Sequence, residues 1–419
     1  MPASHTNRRE ILQKGAILAA GYFAGTPSSA QAAASNLQTD LPKLKITGVK
    51  TFLLKHKLKR PFGVSVSVPL DEFRRTLLVK IETDAGLTGW GETAPVSGSR
   101  DTIDNQIAPR LIGQNPLEQR KLWRLMWGPN FGNALAVAAL DMAVNDIRGK
   151  ALNLPVAELF GGRLRDRVPV YASAMNYLEG AQPEDHYPRE AEELVRQGFK
   201  ALKMRIGRYS VLREAAVAAS VRKAVGPDIK LMADGNAAYT LSSAMRMGEK
   251  LEELGFEYFE EPLPQGSHYA GYEELRQKLE LPLAAGEAVD SRASAKELID
   301  RKCMHIIQPD VSLCGGIGET LFISELAALS GIRCIPHCWG GAILIAATVH
   351  TLALMPDPHW GFPTDTPMLE LDQSENPWRT EIVKQPFQQK DGFVKVPTRP
   401  GLGIEVNENI VEKYAINRR

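Results

Sequence analysis

From residue 166 onward one rhythm repeats: a short apolar stretch rich in branched residues, a longer stretch at helical spacing, then another apolar stretch. The apolar stretches fall at 168–172, 201–204, 229–233, 256–259, 281–285, 304–307 and 332–335, with an eighth around Glu370. Helical stretches at 189–197, 213–225 and 244–254 separate the first of them. A strand, a crossover helix and a second strand pair in parallel, because the crossover returns the chain to the same end of the sheet. Seven or eight such units predict an α/β fold, a (β/α)8-type barrel, over residues 166–380.

The preceding segment, 45–165, has another pattern. Residues 46–54 and 76–83 alternate as strands, Asp84-Ala85-Gly86 makes a turn into 87–91, and 133–151 is a long helical pattern rich in Ala and Leu. That predicts a capping domain of antiparallel strands and helices. Residues 392–406 return to strand-like sequence, so the segment 381–419 is expected to pack back on the cap and complete it.

The first 34 residues look like an address. Asn7-Arg8-Arg9-Glu10-Ile11-Leu12 is a twin-arginine pattern, a weakly apolar run follows, and Ala30-Gln31-Ala32 offers a small-residue cleavage site. The apolar run is too short to span a bilayer. The expectation is twin-arginine export, a soluble periplasmic product and no membrane attachment after the signal is removed. A net charge of +1 argues against a nucleic-acid partner, which demands a basic surplus. The cysteines Cys303, Cys314, Cys334 and Cys338 match no zinc spacing and read as buried small residues. His56, His186, His268, His305, His350 and His359 have no partner pattern and read as structural or surface groups.

Catalytic groups of a barrel sit where strands end and βα loops begin. Here each strand ends in a chemically useful residue: Lys203 and Arg205, then Asp234, Glu260, Glu287, Asp310, His337 and Glu370. From Arg205 onward they are separated by 29, 26, 27, 23, 27 and 33 residues, each about one βα unit. That spacing gathers them at one mouth. Any one of Asp234, Glu260 and Glu287 alone reads best as a solvated acid. Three on successive strands cannot all be ionised at close range without a cation, and their hard oxygens suit Mg²⁺.

With these residues in place, the chain resembles the mandelate racemase branch of the enolase superfamily. The resemblance runs from about residue 45 to 406. It rests on Gly86-Leu87-Thr88-Gly89-Trp90-Gly91-Glu92, the stretch ALDMAVNDIRGKALNLPVAELFGG at 139–162, Lys203-Met204-Arg205, Asp234-Gly235-Asn236, Glu260-Glu261-Pro262, Gly286-Glu287, Asp310, His337 and Pro400-Gly401-Leu402-Gly403. It implies a carboxylate substrate that loses its α-proton to form an ene-diolate, with Mg²⁺ held by Asp234, Glu260 and Glu287. By position, Lys203 adds positive charge to the substrate carboxylate, His337 is the base, Asp310 orients its ring, and Glu370, in protonated form, donates to the carboxylate. The resemblance also implies an even-numbered homo-oligomer.

One departure shapes the expected reaction. The family's usual Lys-x-Lys reads Lys203-Met204-Arg205 here. A guanidinium stays protonated and is a poor base. Racemisation needs a base on each face, so one-base chemistry is favoured: dehydration of a sugar acid first, sugar-acid or lactone cycloisomerisation next, racemisation third. Arg205 is expected to bind a substrate carboxylate or hydroxyl, or else to form a structural ion pair. Asn236, Phe62 and Ser65 are the candidate substrate contacts. A sugar-acid sensor without catalysis is the alternative of another class, and the complete set of metal and base residues speaks against it.

Overall fold

The structure, a computed structural model, describes residues 42–128, 132–266, 268–357 and 366–416. The twin-arginine segment and His359 lie outside the described residues. Three antiparallel strands come first: β1 (Ile46–Gly63), β2 (Asp71–Thr83) and β3 (Thr88–Thr93). Gly86 turns the chain between β2 and β3 at φ 74, a conformation that glycine adopts without penalty. The helix Ala134–Leu152 lies against this sheet, and its Asn133 side chain caps it by accepting from the Ala136 N–H.

The parallel strands follow as expected, most within a residue or two of their predicted positions. They are β4 (Arg167–Ala174), then, after the short β5 (Tyr177–Leu178), β6 (Ala201–Arg205), β7 (Lys230–Asp234), β8 (Tyr258–Glu260), β9 (Leu283–Ala285), β10 (Ile306–Ile307), β11 (Arg333–Cys334) and β12 (Leu369–Asp372). They lie side by side in the order β11-β10-β9-β8-β7-β6-β4-β12, so the last strand pairs with the first and the sheet curls round. A helix fills each interval between consecutive parallel strands. Among the described residues no ladder joins β11 to β12. Pro336, which has no N–H to give, follows β11, and the Cys338 N–H crosses to the Glu370 carboxylate at 3.1 Å instead.

Side chains two apart on a strand share a face. Tyr171, Ala201, Met232, Tyr258, Ala284, Ile306 and Ile335 form one buried cluster across the barrel strands. Two residues beyond six of the seven come polar groups: Tyr171 precedes Ser173, Ala201 precedes Lys203, Met232 precedes Asp234, Tyr258 precedes Glu260, Ile306 precedes Gln308 and Ile335 precedes His337. An apolar plug therefore lies under a charged ring.

The C-terminal segment divides. The strand β13 (Phe393–Lys395) adds antiparallel to β4 of the barrel. Beyond it, the Leu402 N–H donates to Asp146 on the helix Ala134–Leu152, and β14 (Ala415–Ile416) pairs with β1. All four cysteines are free and buried. No helix among the described residues is long and apolar enough to cross a membrane.

Candidate active site

The strand register assembles the ring. Arg205 is level with Asp234, and Asp234 is level with Glu260. Lys203, two residues before Arg205, is completely buried and reaches three acids. Its Nζ lies 2.6 Å from Glu260, 2.8 Å from Glu370 and 3.4 Å from Asp234. Burial would lower its pKa, but Glu260, Glu370 and Asp234 outweigh that and raise it. Arg205 pairs with Asp234 and is likewise held charged. On the other side, His337 Nδ1 lies 2.6 Å from Asp310, and Nε2 lies 3.2 Å from Glu287 and 3.9 Å from Glu370. Burial disfavours the imidazolium, yet Glu287, Glu370 and Asp310 together raise the His337 pKa well above its usual value.

The predicted ring is thus brought together, but several details differ from expectation. Among the described residues no three His, Cys, Asp or Glu stand at metal-holding spacing. The reason is visible in the pairing: Lys203 and Arg205 draw Asp234 and Glu260, while His337 draws Glu287. Glu370 was expected as a protonated donor; in this structure its carboxylate accepts from the Cys338 N–H at 3.1 Å and lies 2.8 Å from Lys203 Nζ. Burial pushes its carboxyl up, while Lys203, His337 and Arg205 pull it below the usual range. Lys203 is committed to the acids at 0% exposure and does not line the cavity. Arg205 makes the ion pair and also lines the cavity.

The donor set fits a hard divalent cation on the chemistry of its acids. Asp234, Glu260, Glu261 and Glu287 are all oxygen donors near one another, and Glu261 Oε1 is a buried acceptor without a hydrogen-bond donor. Burial pushes the Glu260 carboxyl up to about 8, with Asp234 and Glu370 adding to the rise and Lys203 opposing it. Positive charge in this cluster is in short supply.

A cavity of about 480 Å³ opens over the ring between cap and barrel, with Arg205, Asn236, Glu287, Asp310 and His337 in its wall. Phe62 lines it too. Ser65 does not: its hydroxyl is fully buried and faces Asn236 Oδ1 at 3.2 Å, while the Ser67 N–H donates to it at 2.9 Å. Ser65 fastens the 63–70 loop to the barrel instead of reaching the cavity. The Val66 N–H adds a bond to the Gly207 carbonyl.

Sequence reasoning missed three contributors. Gln308 donates from Nε2 to Glu260 at 2.8 Å; its position two residues after Ile306 was the available signal. Trp339, two residues after His337, walls the cavity. Arg74, from the cap, also lines it and pairs with Asp372 at 2.8 Å. Nothing local singled out Arg74 from its neighbours, because its partners Asp372 and Ser374 lie some three hundred residues away.

Against known proteins, residues 46–161 match the family described as Mandelate racemase / muconate lactonizing enzyme, N-terminal domain, and residues 186–410 match Enolase C-terminal domain-like. The chain is 34% identical over 378 residues to a D-galactarolactone cycloisomerase of Agrobacterium fabrum, covering 88% of this chain and 99% of that protein. It is 34% identical over 360 residues to a D-galactonate dehydratase of Verminephrobacter eiseniae, covering 80% and 90%. Among solved structures, the 3,6-anhydro-D-galactonate cycloisomerase of Zobellia galactanivorans superposes with a TM-score of 0.79 at 32% identity, covering 89% of this chain and 100% of that one.

Proposed function

The chain belongs to the enolase superfamily, in its mandelate racemase/muconate lactonizing branch, and from that premise we propose that it removes the α-proton of a sugar acid and expels a β-oxygen, dehydrating an aldonate or aldarate. The observation that carries this reading is the single base. His337 is held by Asp310 on one nitrogen and presents the other to the acid cluster, while the opposite side carries Arg205, which stays protonated.

Asp234, Glu260 and Glu287 are the residues to hold Mg²⁺, which supplies Lewis-acid stabilisation to the developing ene-diolate. The chain's own groups do the rest. Asp310 accepts the Nδ1 proton of His337, so that the neutral ring presents an unprotonated Nε2 to the substrate's α-proton; the charged ring, which Glu287 and Glu370 favour, is not the form that acts as base. Lys203 and Glu370 form a fixed, buried charge pair beneath the acids. Arg205 places a permanent positive charge in the cavity wall, suited to a substrate carboxylate or hydroxyl. The proton on His337 then passes to the departing β-oxygen as the C–O bond breaks. Water leaves, and the resulting enol ketonises to a 2-keto-3-deoxy acid.

A second reading shares the proton abstraction. The relatives named cycloisomerases are matched over 99% and 100% of their length. In that reaction a ring oxygen leaves and stays attached to the product. The two outcomes separate by mass: dehydration loses one water, and cycloisomerisation loses nothing. Incubating aldonates, aldarates and their lactones with enzyme and Mg²⁺ in D₂O decides. Dehydration gives a keto-deoxy acid with solvent deuterium, whereas a chain that neither exchanges the α-proton nor forms product is not this enzyme. Export by the twin-arginine route is part of the proposal, supported by Asn7-Arg8-Arg9 and Ala30-Gln31-Ala32. Replacing both arginines by lysine is expected to keep the full-length protein in the cytoplasm.

A further inference from the structure

We infer that Trp339 sets which sugar acids fit, by giving the part of the substrate beyond the reacting carbons an apolar wall, and that Arg74 holds the indole in position. The inference rests on the sugar-acid reading above.

The segment after β11 runs without helix to Gly341. His337 and Trp339, two apart, both line the cavity, and Cys338 between them is 1% exposed behind it. The indole is therefore next to the base along the wall. It is also held from the cap. The Arg74 guanidinium lies 4.3 Å from the indole centroid, and one of its nitrogens donates to the Trp339 carbonyl at 3.5 Å. The same guanidinium donates to Ser374 at 2.7 Å and pairs with Asp372 at 2.8 Å, at the end of β12. Phe62 meets the indole edge-on at 6.3 Å. Arg74 thus joins β2 of the cap, the end of β12 and the indole in one buried contact. A lysine cannot reproduce it, since an ammonium has neither the planar fork nor the stacking face.

None of these groups moves a proton in the proposed reaction. Their chemistry is that of a shaped apolar surface with one edge tied down. A substrate with a C–H face toward the ring face of Trp339 loses nothing there, while a hydroxyl pointed at that face gives up a hydrogen bond to water and gains no comparable one, since the indole's only donor is the N–H at its edge. The wall therefore favours a ring, or an acid with few hydroxyls at its far end.

The test is steady-state kinetics on a sugar acid that the wild type turns over, for Trp339→Phe, Trp339→Ala, Arg74→Lys and the Trp339→Ala/Arg74→Lys double variant. Trp339→Ala is expected to raise KM by about tenfold, about 1.4 kcal/mol, with a smaller fall in kcat. Trp339→Phe is expected to recover most of that loss. Arg74→Lys should raise KM in the same direction, and the double variant should be little worse than Trp339→Ala alone, because both act through one contact. If Trp339→Ala fails to fold, Trp339→Phe and Arg74→Lys decide: KM ratios of one in both overturn the inference. Unchanged KM in Trp339→Ala, a loss confined to kcat, or fully additive effects also overturn it. A wild type that turns over no sugar acid overturns the underlying functional reading instead.

Discussion

His337 Nδ1 stands 2.6 Å from Asp310 Oδ2, at the ends of neighbouring strands 27 residues apart. A carboxylate there accepts a proton from Nδ1 and so keeps Nε2 as the free base. An amide at the same place can offer an N–H to Nδ1 and favour the wrong tautomer. Asp310→Asn is expected to lower kcat by about 10²- to 10⁴-fold, the usual worth of a positioned base. His337→Asn is expected to abolish α-proton exchange altogether. Exchange into D₂O, followed by proton NMR, measures both. Exchange surviving in His337→Asn removes the residue from its role.

The acids predict a metal dependence that is readable without activity. An ion bound to the folded state alone stabilises it by about 2.7 kcal/mol at a hundred times its dissociation constant. Thermal unfolding of the wild type should shift upward on adding Mg²⁺ and back with chelator. Glu260→Gln should flatten that shift, as should Glu287→Gln. His337→Asn should keep it, because the imidazole is not among the expected ligands. An equal Mg²⁺ shift in wild type and Glu260→Gln would argue that the ion binds elsewhere.

The ring of charged strand ends was legible because a parallel barrel imposes a period: one inward polar residue per βα unit, two positions past an inward apolar one. Lys203, Asp234, Glu260 and His337 all obey it. Glu287 lies three residues past Ala284 because Gly286, at φ 112, breaks the alternation. What stayed hidden was the pairing among the charges. The sequence placed Glu370 at the mouth, but its protonation depends on Lys203 at 2.8 Å, a distance that no spacing encodes. Ser65 failed for a related reason, since its sequence position could not show that its hydroxyl is spent on Asn236.

The motif Gly89-Trp90-Gly91 has a packing cause. A methyl group added at Gly91 would collide with the backbone carbonyl of Ala139, and one at Gly89 with that of Ala143. Both oxygens belong to the helix Ala134–Leu152, whose alanines let it lie this close to β3. Backbone cannot swing aside as a side chain does, so relief requires moving the helix. Gly91→Ala is expected to cost about 3 kcal/mol, the upper end of ordinary overpacking, read as a lowered urea midpoint. Trp90→Phe, which leaves the backbone contact intact, should cost less. A Gly91→Ala variant as stable as wild type would show that the helix gives way freely.

His350 supplies a prediction in pH. It is fully buried in the helix Ala342–Leu354, with Nδ1 accepting from the Ala157 N–H and Nε2 facing the Leu402 carbonyl, each at 3.3 Å. Only the neutral ring protonated on Nε2 satisfies both, because a proton on Nδ1 would confront the Ala157 N–H. Burial, with a smaller push from Arg163, lowers its pKa from 6.5 to about 4, against the pull of the Leu402 carbonyl. A base depressed in the folded state contributes stability that is present above its unfolded pKa and is lost as pH falls from about 6.5 toward 4. The shift corresponds to roughly 3 kcal/mol at full development. Asp141 works in the other direction: burial raises its carboxyl to about 6, so its ionisation lowers stability as pH rises from about 3.8 to 6. The wild-type curve alone therefore mixes these with other groups, among them His305, which burial likewise lowers to about 4, and the difference between wild type and His350→Gln isolates the imidazole. The variant is expected to be less stable than wild type at pH 7.5, with the gap narrowing steadily toward pH 4.5 in urea titrations. A gap that stays constant across that window would mean that His350 takes up its proton in the folded state as readily as in the unfolded chain.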